Sequence, residues 1–103
     1  MTTKTTPIEI LKARKAINNL RSFVRRAGLT GWVRERNART QYQAAFEAVV
    51  RVEDAHGIDA AYALGQRLDD LRREAVSAGL ITAGDVLDAE SAVIARIDNP
   101  NAA

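Results

Sequence analysis

The only histidine of the chain, His56, stands in Glu53-Asp54-Ala55-His56-Gly57, with Asp59 three residues on. An imidazole beside carboxylates is the raw material of an acid–base pair or a metal site. A histidine in the last turn of a helix, however, is favoured by the helix dipole alone. The serines and threonines have no second histidine to act as base, and the six glycines form neither a P-loop nor a dinucleotide fingerprint. With no cysteine, disulfides, thiolate chemistry and Cys-ligated zinc or iron–sulfur centres are excluded. The pattern points away from an enzyme and implies no cofactor and no metal ligand.

Arginine chemistry is the stronger signal. The run Arg34-Glu35-Arg36-Asn37-Ala38-Arg39-Thr40-Gln41-Tyr42-Gln43 gathers side chains that contact phosphates and base edges. On a helix Arg36, Thr40, Gln43, Glu47 and Arg51 fall opposite Ala38, Phe46 and Val49, which describes an exposed polar ridge. Arg25, Arg26, Trp32, Arg34, Arg36, Arg39, Thr40 and Gln43 are therefore the candidate contacts to a protein or nucleic-acid partner. Trp32 is out of phase with the stripe that follows it. It either caps the core or stands exposed as a partner-binding hot spot.

The charge is sorted by halves. Residues 1–51 carry eleven Lys/Arg against three acids, a balance of +8; residues 52–103 carry four Arg against ten acids, a balance of −6. Either the halves neutralise each other within the fold or the basic half faces an acidic partner. On the first helix Arg14, Arg21 and Arg25 flank one side of the apolar stripe, and Lys12, Lys15 and Arg26 the other. Such a surface suits an acidic protein, nucleic-acid phosphates or the acidic half of the same chain. An anionic membrane is disfavoured, because the apolar stripe offers one Phe and no Trp.

The elements that must hold these residues are helices. Sustained alternation and Asn-Gly or Asp-Gly turns are missing. Thr6-Pro7-Ile8-Glu9 reads as an N-cap, a first-turn proline and a capping-box glutamate. Ile10, Ala13, Ile17, Leu20, Val24 and Ala27 then repeat at coiled-coil spacing, a stripe on which two copies could pair as a homodimer, and Gly28 reads as the C-cap. The second helix starts between residues 30 and 38 and ends near His56. It is apolar on most sides, which predicts a central helix.

Asp59 reads as the cap of the third helix, with Ala61, Leu64, Leu68, Leu71, Ala75 and Ala78 as its stripe and Gly79 as its end. Gly65 within that face predicts a close helix crossing, since a mid-helix glycine costs about 1 kcal/mol. Thr82-Ala83-Gly84-Asp85 caps the fourth helix, which carries Val86, Leu87, Val93, Ile94 and Ile97 and stops at Asn99-Pro100. Glu90 inside that stripe predicts a salt bridge to an arginine of the basic half.

The reading is an all-α, up-down bundle of about four helices over residues 6–99, with flexible tails at 1–5 and 100–103 and consecutive helices as neighbours. No signal sequence and no membrane-spanning run is visible, so a soluble, cytoplasmic protein is expected. Twelve Arg against three Lys, with Ala the commonest residue, suits a bacterium or one of its phages. The expected role is a small accessory protein that binds or inhibits an acidic protein partner through its basic half. The alternative is a nucleic-acid-binding accessory protein using the basic region of residues 25–39.

Overall fold

The computed structural model describes residues 6–30 and 35–98, except for the side chains of 27–30 and 35–37. Four helices account for almost all of them: α1 (Ile8–Thr30), α2 (Glu35–His56), α3 (Ile58–Ser77) and α4 (Ala83–Asp98). The proposed tails and the 31–34 link lie outside the described residues.

Local chemistry sets the helix ends. The Pro7 carbonyl accepts the amides of Ile10 and Leu11 at 3.1 and 3.2 Å, so Pro7 itself heads α1. Glu9 does not fold back as a capping-box residue; its carboxylate meets His56 Nε2 at 3.0 Å. Gly28 is not a terminator either, because α1 continues to Thr30. Between α2 and α3 stands a single residue, Gly57, at φ +91°, where only glycine sits without strain. Asp59 is consequently a first-turn acid of α3, and that helix has no side-chain cap.

The end of α3 is a Schellman turn. Leu80 donates to the Ala75 carbonyl at 2.9 Å and Gly79, at φ +74°, donates to Val76 at 3.0 Å. Thr82 then caps α4 as predicted. Its Oγ1 accepts the Asp85 amide at 3.0 Å, and Asp85 Oδ2 accepts the Thr82 amide at 3.2 Å. Leu80 and Ile81, inside the turn, are buried and pin it to the core.

Helix α2 is central and packs against each of the other three. Glu9 meets His56, so α1 runs antiparallel to α2. Only Gly57 separates α2 from α3, and Tyr42 near the start of α2 faces Arg72 near the end of α3, so this pair is antiparallel as well. Arg39 meets Asp85, Tyr42 meets Glu90 and Glu47 meets Arg96, so α4 lies parallel along α2. The expectation that α3 and α4 would pack as neighbours fails here. They diverge from the turn, because α4 spends its buried face on α2. The result is a slab of 49 × 38 × 20 Å, about two helix diameters thick.

The core is aliphatic, with Ala13, Ile17, Leu20 and Val24 of α1 against Ala38, Tyr42, Ala45, Val49 and Val52 of α2 and the predicted stripe of α3 as far as Ala75. The α1 stripe is thus filled within one chain and is not available for a homodimer. Two further expectations need correction. Nothing lies within 4 Å of where a Cβ at Gly65 would stand, so no close crossing explains that glycine. On α4, Val86, Ala89 and Val93 form the buried stripe, while Leu87 is 65% exposed and Ile94 48%.

Candidate interaction surface

The buried stripe of α1 dictates what its other positions do. With Ala13, Ile17 and Leu20 facing inward, Lys12, Arg14, Lys15, Arg21 and Arg25 project into solvent. Among the described residues none of these five takes part in an ion pair or a side-chain hydrogen bond. Direct ion pairs of these five with the acidic half are therefore not what holds α1.

Pairing is concentrated elsewhere. Glu47 of α2 is held by Arg51 at 3.5 Å and by Arg96 of α4, and Arg39 approaches Asp85 at 4.0 Å. On α3, Asp69 takes Arg72 Nε at 3.1 Å and Arg73, one helical turn on, at 3.0 Å. The hydrogen bond from Arg72 holds the Asp69 carboxyl below its ordinary value. The Thr82 amide does the same for Asp85.

Glu90, half-buried, faces the hydroxyl of Tyr42, and among the described residues it is in no ion pair with an arginine of the basic half. Burial first, and then the negative charge of Glu90, push the Tyr42 hydroxyl well above the usual tyrosine range. The ring of Tyr42 stacks on Phe46 at 6.3 Å, which fixes where that hydroxyl points.

The structure divides the residues singled out in the sequence. Arg25 and Arg26 are exposed on α1. Arg26 lines an open groove of about 450 Å³ with Ala16, Asn19, Ser22, Gln41 and Ala44. Arg39 is exposed but turned toward Asp85, Thr40 is exposed, and Gln43 is half-buried. The polar ridge of α2 is thus partly closed by α4 through Glu47. Trp32 and Arg34 lie outside the described residues, as does the side chain of Arg36.

One cation was missed by the charge tally because it belongs to the acidic half. Arg67 of α3 donates from Nη2 to Asn18 Oδ1 of α1 at 2.9 Å and so joins the basic surface. Its place flanking Leu64, Leu68 and Leu71 was readable, but which helix lay alongside was not.

Among the described residues no group of three or more His, Cys, Asp or Glu is placed to hold a metal ion. No described helix is long and apolar enough to cross a membrane. Fold and surface together define a small all-α protein with a central helix, a charge-paired α2–α4 seam and one exposed basic helix. No protein family, no curated protein and no solved structure matches this chain.

Proposed function

We propose that this chain is a non-enzymatic interaction protein of the cytoplasm, a bacterial or phage accessory factor that binds or inhibits an acidic protein partner through its basic N-terminal half. The observation that carries the reading is the outward row of Lys12, Arg14, Lys15, Arg21 and Arg25 on α1, none of which is in an ion pair among the described residues. Lysines and arginines left unpaired on one helix keep their full attraction for an external acid, and such charge raises association rates as well as selectivity. The acidic acids of the second half, by contrast, would oppose a long polyanion.

A pull-down from lysate with and without nuclease tests this reading. Capture of an acidic protein should survive nuclease and be lost in the Arg14→Glu, Arg21→Glu, Arg25→Glu variant. Loss of capture on nuclease treatment would assign the surface to nucleic acid instead.

A further inference from the structure

Along the outer edge of α1, Arg14, Asn18, Arg21 and Arg25 follow one another at intervals of four, three and four residues, which places them on one face of the helix. At the level of Asn18 the neighbouring helix supplies the missing cation: Arg67 of α3 is tied there by its 2.9 Å hydrogen bond. Arg14, Arg67 at the level of Asn18, Arg21 and Arg25 make a ladder of four arginine positions whose ends lie about 16 Å apart along α1, at the ordinary rise of 1.5 Å per residue. All four arginines are exposed, and none is in an ion pair among the described residues. Exposed Leu11 extends the same edge one turn before Arg14.

We infer that this α1–α3 edge binds an amphipathic helix of the partner whose carboxylates repeat at the same four-three-four spacing. The inference rests on the proposed acidic partner and says what form it takes. Acids three and four residues apart on a helix lie about 5–6 Å from one another, the step of the ladder. Each guanidinium presents a planar fork that a carboxylate accepts in two parallel hydrogen bonds, so register matters as well as charge. Leu11 gives an apolar residue at the end of the partner stripe a place to pack.

Charge disposition favours a helix over a nucleic-acid duplex. Asp70 and Glu74, exposed on α3 and in no ion pair among the described residues, follow Arg67 by three and seven residues and so share its face of the helix. A duplex carries about one negative charge per 1.7 Å of its axis on all sides and would set that charge against both acids. An amphipathic helix carries its acids on one stripe only.

The test uses the full chain and two fluorescent alanine-based helical peptides of identical composition. One has glutamates at i, i+4, i+7 and i+11; the other has them distributed around the cylinder. In anisotropy titrations the in-register peptide should bind at least tenfold tighter. Arg67→Ala should weaken it as much as Arg21→Ala does, and Asn18→Ala, which releases Arg67 without changing charge, should act in the same direction. Lys15→Ala, off the ladder, should change affinity less than twofold. Circular dichroism checks that each variant is folded.

Equal binding of the two peptides, or indifference to Arg67, would overturn the ladder while leaving a general basic surface standing. Failure of both peptides to bind at all would overturn the ladder and the acidic-partner reading together. Tighter binding of a duplex oligonucleotide through the same arginines would do likewise and assign the edge to nucleic acid.

Discussion

The outer face of α1 and the seam between α2 and α4 are built from the same kinds of side chain and use them in opposite ways. In the seam charges meet partners: Arg39 lies against Asp85 and Glu47 against Arg51 and Arg96, while Glu90 sits beside the Tyr42 hydroxyl. On α1, Lys12, Arg14, Lys15, Arg21 and Arg25 have none among the described residues. An arginine in the seam contributes to holding α4 on α2, which α3 hardly touches from the other side. An arginine on α1 contributes nothing of the kind, since α1 is already anchored by Ile17, Leu20 and their neighbours. Position relative to a buried stripe, rather than residue type, separates structural from available charge.

The largest effect should come from beneath both regions. Leu68, 4% exposed, lies in the core, and Leu68→Ala should cost about 2–5 kcal/mol in urea unfolding. A cost below about 1 kcal/mol would show that the contrast between seam and face does not rest on a shared core.

Next comes the seam. Thr82→Ala removes the cap at the head of α4 and should cost about 1 kcal/mol. It should also flatten part of the acid limb of stability, since the Thr82 hydroxyl is the second cause of the low Asp85 carboxyl and the Thr82 amide, the first, remains in the variant. The Asp85 carboxyl is held low in the folded state by Thr82, so its contribution is present above the unfolded aspartate value of about 3.9 and is lost as pH falls below it. Thermal melts between about pH 5 and 2 would show wild type losing more than the variant; identical slopes would remove the cap from the account.

Tyr42→Phe removes the buried hydroxyl that faces Glu90 and should cost about 1 kcal/mol. Because the folded hydroxyl titrates above its unfolded value of about 10, the stability it contributes is full below that pH and declines above it. Melts at alkaline pH should therefore fall more steeply for wild type than for Tyr42→Phe. Tyr62→Phe, at an exposed tyrosine, should be silent and serves as the control.

Smallest should be the change in stability when Arg14, Arg21 and Arg25 are each reversed to Glu, about 0.5 kcal/mol or less per site in urea unfolding. Raising sodium chloride to about 1 M, where the screening length is roughly 3 Å, should leave the melting temperature unchanged or higher. A marked fall would mean that α1 is held by long-range attraction to the acidic half after all.

Much of the scaffold was legible in the sequence. Helix count, the stripes of α1, α2 and α3, the central place of α2, the Gly79 terminator and the Thr82 cap all follow from periodicity and local hydrogen-bonding chemistry, which act within a few residues. Where two local signals competed, the pattern misled. Glu9 had a cap to make and a histidine to meet, and only folding brings residue 56 to residue 9. Gly28 carries a terminator residue inside a helix that packing continues to Thr30.

By itself, then, the sequence determined that the chain is all helical, which faces of α1 and α3 are apolar and that its first half is rich in cations, because each of these depends on spacing along one helix. Only the tertiary structure decided which charges are already spent. Laying α4 along α2 commits Arg39, Glu47 and Glu90, packing α1 on α2 closes the stripe that could have paired two copies, and setting α3 beside α1 adds Arg67 to the basic edge. Those outcomes depend on which helix neighbours which. Neighbourhood between helices is fixed by how the buried stripes of the whole chain fill one another, a property of no single segment.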